Sequence, residues 1–100
     1  MPVFEALADP VRRDILGLLR QGEQAAGALV GALGLPQPSV SKHLKTLREA
    51  GLVRARVEGP RRLYTIDPAP LAALDAWLAP YRAFWADKLD ALGEHLKRSD

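Results

Sequence analysis

Basic side chains gather in one quarter of this 100-residue chain. Between Gln37 and Arg62, seven bases face only two acids, Glu49 and Glu58, so this segment carries a net +5 while the whole chain carries +2. A concentrated positive charge suits a polyanion such as a nucleic-acid backbone. The alternative is a solvated charged surface that binds nothing. The seven bases are Lys42, Lys45, Arg48, Arg54, Arg56, Arg61 and Arg62.

An amphipathic helix is predicted from Gln37 to Ala50. Val40, Leu44 and Leu47 recur at steps of four and three, which is helical spacing. With that stripe buried, the polar residues turn outward, and a helix of this width fits the DNA major groove with its N-terminal residues nearest the bases. We therefore expect base contacts from Gln37, Ser39, Ser41 and Lys42, and phosphate contacts from Lys45 and Arg48.

His43 lies on the same helix, beside the buried stripe. Its imidazole can donate to a phosphate, so it belongs to the candidate DNA-binding set, although the position favours a packed, locally bonded histidine. Arg12 and Arg13 follow Asp9 closely, and we expect them to pair with Asp9 or Asp14 rather than with DNA.

A β-hairpin is predicted over residues 52–66. Apolar Val53, Ala55 and Val57 alternate with charged residues, a tight turn follows at Gly59-Pro60, and a second apolar run returns. We interpret this hairpin as a wing with one basic face that contacts the DNA backbone or the minor groove. Its basic residues are Arg54, Arg56, Arg61 and Arg62.

Three further helices are predicted before the amphipathic helix. Helices are predicted over residues 3–8, 10–21 and 24–33, the second of them starting at Asp9-Pro10. The segment 24–50 then forms a helix-turn-helix whose turn is Gly34-Leu35-Pro36. The fold class is mainly α with a two-stranded hairpin (α+β), in a single domain over residues 1–100.

The last segment, about 68–97, predicts a long C-terminal helix in which Pro80 should cause a kink or a break. Four of the six aromatic residues of the chain fall between Trp77 and Trp85, more apolar surface than a domain this small covers itself. A second copy of the chain is the expected cover, with a small-ligand pocket or internal packing as alternatives. The predicted dimer contacts are Phe4, Leu71, Leu74, Trp77, Leu78, Tyr81, Phe84, Trp85, Leu89 and Leu92.

Several function classes lack the residues they need. The chain has no cysteine and two histidines, and it lacks a phosphate-binding glycine loop and a G-x-S-x-G elbow, so we predict no enzyme and no cofactor. Asp87, Asp90 and Glu94 lie on one helical face, with His95 beside them, but we interpret them as a solvated acidic face and predict no metal. Neither a membrane span nor a signal segment is found, so the expected location is the cytoplasm.

Three stretches of the chain resemble the ArsR-type winged-helix regulators. They are LADPVRRDILGLL within residues 4–19, LGLPQPSVSKHLKTLREAGLV at 33–53, and EGPRRLY at 58–64. The resemblance implies a winged helix-turn-helix, a homodimer paired through its terminal helices, and repression of transcription from double-stranded DNA. A protein-interaction module that docks through the aromatic helix is the alternative.

The chain departs from the family pattern at two places. Residues 23–30 carry no thiol where many members sense metal, which points to the subgroup without the cysteine motif. Pro36 stands where a capping Ser or Thr is common, and it changes the first turn of the predicted recognition helix.

Overall fold

The computed structural model describes residues 2–98, and the side chains of residues 2–93. The chain divides after Pro70 into two compact units. In chain order the helices are α1 (Pro2–Leu7), α2 (Pro10–Leu19), α3 (Ala26–Leu33), α4 (Gln37–Glu49) and α5 (Pro68–Arg98), and the strands are β1 (Gln24–Ala25), β2 (Val53–Glu58) and β3 (Arg61–Ile66).

Helix α2 begins as its sequence predicts. The Asp9 carboxylate accepts from the backbone N–H groups of Val11 at 2.8 Å and Arg12 at 3.2 Å, while Pro10 occupies a position that needs no N–H donor. Partial burial works against ionisation of Asp9, but the donated hydrogen bonds of Arg12 and Val11 outweigh it and hold the pKa of this carboxyl below its ordinary value.

The antiparallel sheet has the order β1-β3-β2. The predicted hairpin is confirmed, with pairs running from Val53 opposite Ile66 to Glu58 opposite Arg61. Gly59 has φ 59° at the turn, the positive value that the tight two-residue hairpin turns require.

Strand β1 corrects one prediction. Gln24 and Ala25 were expected to open a helix, but they pair with Tyr64 and Leu63 of β3, and α3 begins only at Ala26. The free edge of β3 offers these two residues backbone partners, and the Gln24 amide also donates to the Leu18 carbonyl at 2.7 Å. Tertiary pairing therefore overrides the local helical pattern.

Helix α4 buries Val40, Leu44 and Leu47, as its spacing predicts. Pro36 supplies no side-chain cap, and its carbonyl accepts from the backbone N–H groups of Ser39 at 3.1 Å and Val40 at 3.2 Å. The buried stripe joins one apolar core whose members come from α1–α4 and the hairpin. They are Val3, Ala6, Ile15, Leu16, Leu19, Leu29, Val40, Leu44, Leu47, Leu52, Val53, Leu63 and Tyr64.

Helix α5 runs without interruption through Pro80, so the proline does not break it. Trp77 and Tyr81 stack with ring centroids 4.9 Å apart, and the Lys88 ammonium lies 5.4 Å from the Phe84 ring centroid. Large apolar side chains remain exposed along this helix, and no described helix is long and apolar enough to cross a membrane. The exposed members are Trp77, Tyr81, Phe84, Trp85, Leu89 and Leu92.

Candidate nucleic-acid interface

A cleft between α4 and β3 brings together residues that the sequence places far apart. Helical spacing sets Gln37, Ser41, Lys45 and Arg48 along one side of α4. Strand alternation then directs Arg62 of β3 into the same cleft. We call this the α4–β3 cleft, and its lining is Ala26, Gln37, Ser41, Leu44, Lys45, Arg48, Arg62 and Tyr64.

The cations of the α4–β3 cleft are available to an anion. Lys45 has only a loose contact with Glu49, 4.0 Å long between side chains that are 72% and 66% exposed, which is worth little in water. Among the described side chains, Arg48 and Arg62 make no ion pair. The α4–β3 cleft is thus lined by two arginines and one lysine, and Ser41 and Gln37 add neutral donors there. This combination suits phosphate oxygens.

The register of the hairpin corrects the prediction that its arginines share one face. Arg54 lies opposite Thr65 and Arg56 opposite Leu63, whereas Arg62 lies opposite Val57. Successive residues of a strand point to opposite faces, so Arg54 and Arg56 occupy the face away from Arg62. We call this second face, which also carries Arg61, the outer face of the hairpin.

Acids of the chain pair with the two β2 arginines of the outer face. The Arg56 guanidinium donates to both Glu23 oxygens, at 2.9 and 2.7 Å, and lies 3.0 Å from Glu58. The hydrogen bonds from Arg56 hold the pKa of Glu23 below its ordinary value, and those same bonds to Glu23 raise the pKa of Arg56. The sequence alone gives no sign of this pair, because its members are 33 residues apart.

Arg54 has a similar partner. Its Nε donates to Asp67 at 3.0 Å. The backbone N–H of Ala69 and then Arg54 lower the pKa of that carboxyl. The two arginines of β2 therefore have their charges balanced within the chain, which the charge count in the sequence does not reveal.

The N-terminal turns of α4 carry the predicted base-reading residues. Lys42 is exposed and Ser39 half-buried, and neither lines the α4–β3 cleft. The Thr46 hydroxyl donates to the Lys42 carbonyl at 3.2 Å, which leaves the Lys42 ammonium unaffected. Arg61 lies near the turn of the hairpin, where it lines a second cavity together with Gln37, Pro60 and Arg62.

His43 is half-buried, as expected for a packed histidine beside the buried stripe of α4. Its Nδ1 lies 3.4 Å from Nη1 of Arg12. Arg12 pairs with Asp9 at 3.9 Å, as predicted. The same prediction is wrong for Arg13, which donates to the carbonyls of Leu7 at 2.9 Å and Ala8 at 3.2 Å. The carbonyls that follow the last turn of a helix lack partners within it, and Arg13 supplies them with donors.

The acidic face of α5 is described only in part. Asp87 and Asp90 are exposed, while the side chains of Glu94 and His95 lie outside the described residues. Within residues 2–93, no group of three or more potential ligands that could hold a metal is found.

The predicted dimer contacts differ in exposure. Phe4 is 40% exposed on α1, and Leu71, Leu74 and Leu78 are half-buried on α5. The aromatic residues of α5 are more open, with Phe84 63% exposed. Among the predicted dimer contacts, Phe84 and Leu89, which is 61% exposed, are the side chains that the described chain covers least.

A helix-turn-helix followed by a β-hairpin defines the winged helix-turn-helix class, whose second helix reads the major groove. Residues 9–55 match the model of the bacterial regulatory protein family arsR. The regulator Rv2034 of Mycobacterium tuberculosis is 48% identical over 71% of this chain, which spans 66% of that relative, just under two thirds. The transcriptional repressor SdpR of Bacillus subtilis is 33% identical over 76% of this chain and 84% of its own length.

A solved structure with the winged helix-turn-helix fold also resembles this chain. The homodimeric winged helix-turn-helix DNA-binding domain Mb0332 of Mycobacterium bovis is 39% identical, with a TM-score of 0.67, over 82% of this chain and 76% of that one. The chain belongs to the ArsR family of bacterial regulatory proteins. These relatives are named as regulators of transcription or as a DNA-binding domain, which agrees with the prediction that the chain is not an enzyme.

Proposed function

We propose that this protein is a homodimeric, sequence-specific DNA-binding repressor that acts in the cytoplasm. Helix α4 enters the major groove, and the α4–β3 cleft receives the adjacent sugar–phosphate backbone. The observation that carries the proposal is the convergence of Lys45, Arg48 and Arg62 in one cleft, without acids that neutralise the two arginines among the described side chains.

The chemistry of the cleft predicts how affinity arises. Each cation that meets a phosphate releases condensed counterions, so binding weakens steeply as salt rises. Guanidinium groups present parallel N–H donors that match phosphate oxygens. Ser41 adds an uncharged donor in the same cleft and helps to fix the register of the helix on the duplex.

Sequence preference is assigned to the first turns of α4. The N-terminal residues of a recognition helix lie nearest the base edges, and Lys42 is exposed there. A lysine ammonium can contact the guanine acceptors, and the Gln37 amide can pair with adenine. Ser39 and Ser41 then serve bases or phosphates.

A second copy of the chain is proposed to cover the apolar residues of α5. Six large apolar side chains between residues 77 and 92 are exposed, more than a solvated surface helix normally carries. The homodimeric state of the Mycobacterium bovis domain supports this occupant. Two recognition helices related by two-fold symmetry require a near-palindromic operator, with half-sites about 34 Å apart.

Repression, by occlusion of the promoter, is proposed from the relative named as a transcriptional repressor. Metal independence is proposed from the residues: the chain has no cysteine, and the described residues form no ligand cluster.

The exposed aromatic residues of α5 also favour a second candidate function. On this alternative the winged helix is a scaffold, and α5 docks a partner protein. The α4–β3 cleft discriminates between the two, because a docking module does not need cations directed into it.

The test is a fluorescence-anisotropy titration of labelled DNA taken from upstream of the protein's own gene. Unlabelled non-specific DNA is present in excess, and the titration is run in chelator and with added zinc. Specific binding that is equal in both buffers supports the proposal. Binding lost on adding zinc would overturn metal independence, and no binding to this or to a randomised operator library would favour the docking module.

A further inference from the structure

Helix α1 cannot persist on its own. It has six residues, Pro2–Leu7, and isolated helices shorter than about 12 residues are marginal in water. Its last carbonyls have no partners within the helix, and they form the negative end of its dipole. The burial of Val3 and Ala6 and the partners of these carbonyls therefore hold α1 in place together.

Two arginines of α2 satisfy that end of α1. Arg12 donates from Nε to the Ala6 carbonyl at 2.7 Å and from Nη2 to the Glu5 carbonyl at 2.9 Å. Arg13 donates to the next two carbonyls, those of Leu7 and Ala8. Both arginines thus cap the same helix end with positive charge, which is where a helix favours it.

Only Arg12 reaches further, to the recognition helix. Its remaining terminal nitrogen, Nη1, lies 3.4 Å from Nδ1 of His43 on α4. A guanidinium can only donate, so Nδ1 of His43 is the acceptor in this contact. The Arg12 side chain is 17% exposed, and Asp9 lies beside it at 3.9 Å, so the bridge is partly sheltered and its charge is balanced.

We infer that Arg12 is a positioning residue that couples α1 to the recognition helix α4. One planar group holds both helices, so ordering either of them favours the position of the other. Phe4 on α1 belongs to the predicted dimer contact, so pairing with a second copy and binding DNA would strengthen each other. This inference rests on the proposed function, because it needs both a dimer and a DNA ligand.

Reciprocity makes the inference testable. If dimer contact at α1 favours the DNA-binding position of α4, then DNA must favour the ordered state of α1 to the same extent. Amide hydrogen exchange of the segment 3–8 reports the order of α1 directly, without relying on affinity. The dimer dissociation constant, measured with and without DNA by sedimentation, gives the second readout.

The variants separate the bridge from the cap. Arg12→Gln removes the bridge and half of the cap, and the matched control Arg13→Gln removes only the other half of the cap. His43→Gln removes the α4 side of the bridge together with any phosphate contact of His43, so it is compared at saturating DNA. Arg12→Lys keeps a positive charge at the end of α1, but one ammonium cannot span both helices, so it serves where Arg12→Gln fails to fold.

In the wild type, DNA is expected to slow exchange of α1 and to tighten the dimer about fivefold or more. Arg12→Gln, Arg12→Lys and His43→Gln should each lose this response, and Arg12→Gln/His43→Gln should lose no more than either single change. Arg13→Gln should loosen α1 yet keep the response to DNA.

The inference is overturned if DNA leaves α1 exchange and the dimer constant unchanged in the wild type. It is also overturned if Arg13→Gln loses the response as Arg12→Gln does, or if the Arg12 and His43 effects multiply. A wild type that binds no DNA at all would instead contradict the proposed function, and the inference with it.

Discussion

The two faces of the β2–β3 hairpin carry the same residue type in opposite electrostatic settings. On the outer face, Arg54 and Arg56 are held by Asp67 and Glu23 at 3.0 Å or less. On the face toward α4, Arg62 enters the α4–β3 cleft, and it makes no ion pair among the described side chains. Counting bases in the sequence treats these arginines as equal, whereas the structure pairs the two arginines of β2 with acids and leaves Arg62 available to an anion.

The difference has an energetic consequence for DNA binding. A paired arginine must leave a carboxylate before it meets a phosphate, so it exchanges one anion for another and gains little. An arginine without an acid partner gains a phosphate contact directly and displaces counterions from the DNA. The charge that matters is therefore the charge left after the intramolecular pairs have formed.

The largest effect is expected from emptying the cleft of charge. Lys45→Ala/Arg48→Ala/Arg62→Ala should weaken DNA binding on the order of 100-fold or more. It should also reduce the slope of log affinity against log salt by about three. The matched control, Arg54→Ala/Arg56→Ala, should change affinity by less than about threefold. Equal losses in the two variants, measured by anisotropy in a salt series, would refute the comparison.

A smaller and selective effect is expected on α4. Lys42→Ala should weaken binding to the preferred operator by about 5- to 100-fold, because a base contact is worth about 1–3 kcal/mol. The affinity for random DNA should fall much less, so the ratio of operator affinity to random-DNA affinity decreases. Arg48 is assigned a phosphate contact, so Arg48→Ala should weaken binding to both DNAs by the same factor. Competition titrations with the two DNAs check this, and a uniform loss in Lys42→Ala would remove Lys42 from the base-reading set.

The smallest effect concerns stability rather than binding. The pKa of Glu23 is lowered in the folded protein, so its ionised form stabilises the fold above the ordinary carboxyl range, near pH 4.5. That contribution disappears as the pH falls through the lowered pKa. The melting temperature of Glu23→Gln should therefore lie below that of the wild type at pH 7, and the two should converge as the pH falls through the lowered pKa.

The partner variant serves as the control for this pH dependence. Arg56→Gln should remove the same pH-dependent increment, and Glu23→Gln/Arg56→Gln should show no further loss. A difference between Glu23→Gln and the wild type that does not shrink at all as the pH is lowered below the ordinary carboxyl range would show that Glu23 acts through something other than its charge.

Local patterns predicted the parts of the fold that local physics decides. The burial of Val40, Leu44 and Leu47 follows from their spacing, and the hairpin turn follows from Gly59-Pro60. The separation of the wing arginines was also within reach, because Arg61 and Arg62 are adjacent in one strand and must point to opposite faces.

Contacts between distant segments could not be predicted in this way. Strand β1 exists because β3 offers it an edge, and two residues are too few for a periodic signal. Arg12 reaches His43 across 31 residues, and Arg56 reaches Glu23 across 33. Only the folded chain brings these groups together, and they decide which bases are available for DNA.

The central claim is tested most directly by comparing two single variants of the same residue type. Arg62→Ala and Arg56→Ala are titrated with the same operator over a range of salt concentrations. The account predicts that Arg62→Ala weakens binding evenly across sequences and lowers the salt slope by about 0.9, while Arg56→Ala leaves the slope unchanged. A lowered slope for Arg56→Ala with an unchanged slope for Arg62→Ala would show that the outer face of the hairpin, and not the α4–β3 cleft, meets the DNA.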